Sequence, residues 1–183
     1  MIIFNFSTRI QNMTEQFQEQ AIEIAEVFLN IEINSNSVVK SDYAKLYNSA
    51  IDVYKKKKLV GNGIKSFRSI CFKNLEKLPP YRSCNNHPHN YYLEILISFG
   101  LIGFFLFILI FIISIKNFLS MYYKIPKYEY QNKLILLIPF ILLLTELFPI
   151  RSSGAFFTTN NATIIFVLFS IVTNLKINHI KNS

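Results

Sequence analysis

Residues 87–103 read His-Pro-His-Asn-Tyr-Tyr-Leu-Glu-Ile-Leu-Ile-Ser-Phe-Gly-Leu-Ile-Gly, and their reading decides the fold. From Leu93 to Ile115 the chain is almost unbroken apolar sequence, with Glu94 at its mouth. About 20 such residues cross the roughly 30 Å hydrocarbon layer of a bilayer. The stretch therefore reads as a polar, titratable cluster at the water-side entrance of a membrane helix. Loops, aromatics or lysines commonly stand at such entrances. His87-Pro88-His89-Asn90 is a less usual one and asks for a reason.

Toward the C-terminus two more apolar runs follow, at about 134–150 with Glu146 inside it and at about 155–175. With about 93–115 they make three expected spans. The pattern predicts an all-α, polytopic membrane protein: a water-exposed helical region over 1–92, then a transmembrane region over 93–183. Lys116, Lys124, Lys127 and Lys133 lie between the first two runs, and Lys176 and Lys181 follow the third. Short basic flanks mark the cytoplasmic side. The 116–133 loop and the C-terminus are thus expected inside, and residues 1–92 and 151–154 outside. Lys55–Lys58 then lies outside, in a segment too long for the rule to govern.

Hydrophobic residues make up 51% of the 183, a fraction that soluble domains also reach, so their concentration after position 92 carries the argument. The net charge of +8 comes in a chain rich throughout in Lys, Asn, Ile, Phe and Tyr. Such a general bias discounts it as a functional sign. A membrane-spanning C-terminal half argues against nucleic-acid binding, the usual reading of a basic chain. Met1–Phe6 is too short and lacks the basic start of a signal peptide. It reads as the tail of an upstream membrane helix.

Within 1–92, Glu15–Leu29 carries apolar positions at helical spacing. A clearer helix follows Ser41. Tyr43, Leu46, Tyr47, Ala50, Val53 and Tyr54 fall on one face, with Ser41 or Asp42 as N-cap and Lys55–Lys58 at the dipole-favoured end. Gly61-Asn62-Gly63 reads as a turn, and also as a place where backbone N–H groups meet an anion. Ile64–Asn74 predicts a short helix with Arg68 and Cys71, and Leu75–Asn86 a loop.

Three constellations carry possible chemistry. Cys71, Cys84, His87 and His89 have the residue types for zinc, but in a region facing an oxidising compartment a Cys71–Cys84 disulfide is the expected state, with free thiols as a further alternative. His89, beside Asn90, has a ring that takes a proton near neutral pH. Glu146 within a span calls for a partner, either Arg151 or a substrate.

Three segments together resemble the O-antigen ligase/polymerase family. They are G-N-G-I-K-S-F-R (61–68), C-N-N-H-P-H-N-Y-Y-L-E-I-L-I-S-F-G-L-I-G (84–103) and R-S-S-G-A-F-F-T-T-N-N-A (151–162). The family hallmark is His, then Asn, Ser or Gln, nine residues, then G-x-x-G. His89, Asn90 and Gly100-Leu101-Ile102-Gly103 match that spacing. The resemblance covers about 40–165.

It implies the C-terminal portion of a larger GT-C-like helical protein of the bacterial inner membrane, with the loop facing the periplasm. It implies transfer of a saccharide from an undecaprenyl-diphosphate carrier to a hydroxyl, of lipid A–core in a ligase or of a growing chain in a polymerase. A protein O-oligosaccharyltransferase of the same family is a further alternative. His89 would be the base. Arg9, Arg68, Arg151 and Asn90 would hold the diphosphate or substrate, without metal or cofactor. Family relatives carry an arginine at about Tyr43 that this chain lacks. Cys71, Cys84 and His87 would be structural, and Gly100 and Gly103 would let another helix pack closely. From a different class, a truncated and inactive membrane scaffold also fits. A transporter would need charges within several spans.

Overall fold

The computed structural model describes residues 42–73, 79–149 and 153–174, with isolated positions 14, 15, 18, 21 and 22 that are helical. Arg9, Arg151 and most of the expected Glu15–Leu29 helix lie outside the described residues. The described residues are all-helical, without strands. The helices are α1 (Asp42–Lys56), α2 (Ser66–Phe72), α3 (Tyr91–Lys124), α4 (Tyr130–Glu146) and α5 (Thr159–Asn174).

α1 forms where the apolar periodicity predicts it. Asp42 stands in its first turn and Lys55 and Lys56 in its last, each matching the helix dipole. Leu46, Tyr47, Ala50 and Val53 turn inward and are almost fully buried. They meet Phe67 and Cys71 of α2 and Leu93 and Ile97 of α3 in one core. Asn48, Ser49 and Asp52 lie on the adjoining polar stripe and hold the loop before α3. The Ser49 hydroxyl accepts from Ser83 N (3.2 Å), and Asp52 pairs with Arg82 (2.5 Å), whose guanidinium also stands 5.2 Å from the Tyr81 ring.

The opening turns of α3 lie between two cores. Leu93 and Ile97, four apart, face α1 and α2, whereas Tyr91 and Ile95 face the second core, built with α4 and α5. In that second core Leu136 and Leu143 of α4 meet Ile165 and Val172 of α5, all fully buried. Each pair is seven apart, so each helix offers one stripe. Phe118 of α3 stacks on Phe140 of α4 with ring centroids 3.7 Å apart.

α3 is long and apolar enough to cross a membrane. On the side away from the second core its surface is apolar and open: Ile102 is 56% and Phe105 67% exposed. An apolar belt of that size on a watery surface would promote association, whereas lipid tails suit it. It is the one helix among the described residues that passes this length-and-composition test. α4 and α5, at 17 and 16 residues, fall below it. The expected second run begins four residues late, since α4 starts at Tyr130 and ends at Glu146. The third begins four residues early, since Ala155–Thr158 is a turn.

α3 is broken at Gly100, whose φ of 65° and ψ of −162° lie outside the helix. A break leaves orphan C=O groups before it and orphan N–H groups after it, costly where water is excluded. The turn after α1 satisfies both sets. Leu101 N and Ile102 N donate to the carbonyls of Lys58 and Leu59 (2.8 and 3.2 Å). Asn62 N and Gly63 N donate to those of Ile97 and Ser98 (2.7 and 3.0 Å). Gly61 N goes to Lys57 O (3.0 Å). The N–H groups of 61–63 are therefore occupied by carbonyls, which overturns their reading as an anion cradle.

The close approach at Gly100 is thus to this turn and not to another helix, since a Cβ there would overlap the Leu59 carbonyl. Gly103, one turn on, faces the side chain of Phe99, which the break swings over it.

Candidate functional site

The histidine cluster sits where the loop before α3, the start of α3 and the α4–α5 loop meet. Three devices fix it. The first is the Cys71–Cys84 disulfide, which ties α2 to the chain just ahead of the cluster. With both thiols joined, no thiolate remains for zinc. Among the described residues no group of three or more His, Cys, Asp or Glu side chains is placed to hold a metal ion.

The second device is Asn90, the N-cap of α3. Its Oδ1 accepts from Leu93 N (3.1 Å), as an N-cap side chain does, and its Nδ2 donates to Pro149 O (2.7 Å). Asn90 is 2% exposed and also hydrogen-bonds with the phenol of Tyr47, itself 1% exposed. Burial, first, pushes the Tyr47 phenol above its ordinary value, and Tyr43 adds to this while Asn90 opposes it. Asn90 therefore spends both ends of its amide inside the protein, as a helix cap and a loop tie.

The third device is the α4–α5 loop, stitched to residues 89–94. Ser153 N donates to His89 O (2.9 Å) and the Tyr92 hydroxyl to Leu147 O (2.5 Å). Phe156 N donates to a Glu94 carboxylate oxygen (2.6 Å). Glu94 is 4% exposed. An acidic residue in an apolar run needs such donors, and they answer why one stands at the mouth of this helix.

Between these ties the His89 backbone takes φ 54°, the left-handed region uncommon for a residue with a side chain. Its half-buried ring lies 4.1 Å from that of His87, centroid to centroid, and 6.0 Å from that of Tyr43, edge on. Its Nε2 is 3.0 Å from Asn85 Nδ2. Burial, and then the charge of His89, hold the His87 imidazole below its ordinary 6.5. Two buried polar atoms in this neighbourhood have no hydrogen-bond partner, His87 Nε2 and Ser153 Oγ.

Of the other expected site residues, Arg68 is exposed on α2. Arg9 and Arg151 lie outside the described residues. Glu146 ends α4, half-buried and engaged in an interaction of its own. Sequence reasoning missed Arg82, Asn85, Tyr92 and Ser153. Only Asn85 and Tyr92 had a signal, their closeness to the histidines in sequence.

A half-exposed imidazole at a forced backbone position, on a scaffold tied from three sides, can accept a proton from a group arriving from the water side. Neither the curated proteins nor the solved structures contain a match to the chain. A family model described as O-Antigen ligase matches residues 1–108, more than half of the chain. The match takes in Arg9, the 58–63 turn, the disulfide, both histidines and the Gly100 break, and it stops before the 151–162 segment. The chain belongs to the O-antigen ligase family, whose members are membrane enzymes of the glycosyltransferase or ligase type.

Proposed function

We propose that the chain takes part in inverting transfer of a saccharide from an undecaprenyl-diphosphate carrier to a hydroxyl of lipid A–core, with His89 as the base. The acceptor oxygen attacks the anomeric carbon, its proton passes to the imidazole, and the bond to the diphosphate breaks with the electron pair leaving on phosphate. Arg9, Arg68 and Arg151 are the cations proposed to stabilise that departing charge. On this reading residues 1–92 face the periplasm, and 93–183 cross the inner membrane as three spans amid its lipids.

One observation carries the proposal: the motif histidine, His89, is half-buried at the foot of α3, on backbone held by Ser153 N at its own carbonyl and by the Asn90 cap beside it. A ring left partly open to solvent, on backbone tied on both sides, is placed for use of its nitrogen more than for packing. A catalytically inactive scaffold would have no need of it. Polymerase and protein-glycosylating activities differ from the ligase only in the acceptor, and the same test serves them.

Transfer is measured in membranes carrying each variant together with a polyprenyl-diphosphate-linked oligosaccharide, normalised to protein level. Removing a general base costs about 10²–10⁴-fold. His89→Ala is expected to lower transfer by about that factor at normal abundance, and His87→Ala by much less. Retention of most transfer by His89→Ala overturns the reading.

A further inference from the structure

We propose that Asn85 is a positioning residue for His89, keeping the imidazole proton on Nδ1 and marking Nε2 as the atom that receives the acceptor hydroxyl. This rests on the reading of His89 as the base and names the atom that acts.

The argument starts at the Asn85 amide. Asn86 N donates to Asn85 Oδ1 at 2.7 Å. That bond fixes which end of the amide is oxygen, so the group 3.0 Å from His89 Nε2 is the N–H₂ end. An imidazole nitrogen facing an N–H accepts, and a neutral imidazole then carries its single proton on the other nitrogen. Both ends of this short segment are anchored. Cys84, bonded to Cys71, stands immediately before Asn85, and Asn90, immediately after His89, caps α3 and holds Pro149. The amide and the ring thus face each other across a segment fixed at both ends.

The other groups at the ring do not replace this contact. From its own loop His87 meets it ring to ring, and from α1 Tyr43 meets it edge on. From the α4–α5 loop the contact is Ser153 N to the His89 carbonyl, and Glu94 of α3 is turned to Phe156. Asn85 is exposed. A hydrogen bond open to solvent contributes a modest net amount, so a hydroxyl that donates to Nε2 displaces the amide at little cost. The place held by Asn85 Nδ2 is then the place of the acceptor O–H. When the oxygen attacks the sugar, its proton moves to Nε2 and the ring leaves as an imidazolium with both nitrogens protonated.

The test uses the full chain in lipid nanodiscs, with ¹³C/¹⁵N-labelled histidine and a His179→Gln background that leaves His87 and His89. Ring-nitrogen shifts of neutral His89 are expected to show Nδ1–H and an acceptor Nε2. Asn85→Asp keeps the size but presents an acceptor, and is expected to move the proton to Nε2. Asn85→Ala is expected to give a mixture. Transfer is expected to fall about tenfold or more in Asn85→Asp, within the factor lost with the base itself. A wild-type ring with Nε2–H, or full transfer by Asn85→Asp after the tautomer has moved, overturns the proposal. Either result leaves His89 standing as the base if His89→Ala is inactive, so the two readings fail separately.

Discussion

Gly61 and Gly100, 39 positions apart in the chain, are held back to back by hydrogen-bonded main chain. A Cβ on Gly61 would overlap the Ser98 carbonyl, and one on Gly100 the Leu59 carbonyl. Both residues also have left-handed φ, 75° and 65°. The glycine-rich turn after α1 and the first glycine of the motif's G-x-x-G are one structural unit, whose role is to let a membrane helix break without orphaned backbone groups.

Alanine at either position is therefore expected to be severe. Left-handed backbone alone costs roughly 1–3 kcal/mol, and the overlap is with main chain that cannot rotate away. Gly100→Ala and Gly61→Ala are each expected to lose about 3 kcal/mol or more, read as a lower Tm and faster proteolysis in detergent. Gly63 has φ 97° but open space around its Cα, so Gly63→Ala is expected to cost only about 1–2 kcal/mol. Equal losses at all three sites would mean that the clasp does not set the cost.

Reduction of Cys71–Cys84 should loosen the same region. The bond closes a loop with a sequence separation of 13 residues. Chain-entropy arguments put a loop of that size at about 3 kcal/mol. A reductant, or the Cys71→Ser and Cys84→Ser pair, is expected to lower Tm and to impair transfer more than it impairs membrane insertion. Non-reduced peptide mapping that finds two free thiols would remove the basis for this.

His87 gives the site a pH dependence of defined sign. Its imidazole is held below 6.5 by burial, then by His89, so the folded state prefers it neutral. Its contribution to stability is complete above pH 6.5 and is lost as the pH falls below 6.5 toward the folded-state value, because the unfolded chain takes up the proton first. Tm measured from pH 8 down to pH 5 is expected to fall on the acid side, and the fall to shrink in His87→Gln. A wild-type Tm that rises on acidification would contradict the sign.

Orientation can be read with single thiols, since the chain has two cysteines and both are in the disulfide. Lys56→Cys, exposed at the end of α1, is expected to react with an impermeant maleimide added from the periplasmic side. Lys127→Cys, exposed in the α3–α4 loop, is expected to react only after the inner membrane is opened. The reverse pattern would place the histidine site in the cytoplasm and end the proposed chemistry.

By itself the sequence determined the features that local pattern encodes. The apolar face of α1 follows from 3.6-residue periodicity, and the long α3 from an unbroken apolar run. Two cysteines in a region expected to face an oxidising compartment favoured the disulfide, and the His89–Asn90–Gly100 spacing carried the family. Tertiary structure alone decided the rest, because it depends on main-chain groups that pair over distance and leave no trace in residue type. Nothing in Lys58 or Leu59 announces that their carbonyls complete a broken helix. Asn90 invited a substrate-binding reading until both ends of its amide were seen bonded inside the protein. The tie from His89 O to Ser153 N is likewise a backbone contact that any two residues can make, and it required the two helices between them to fold first.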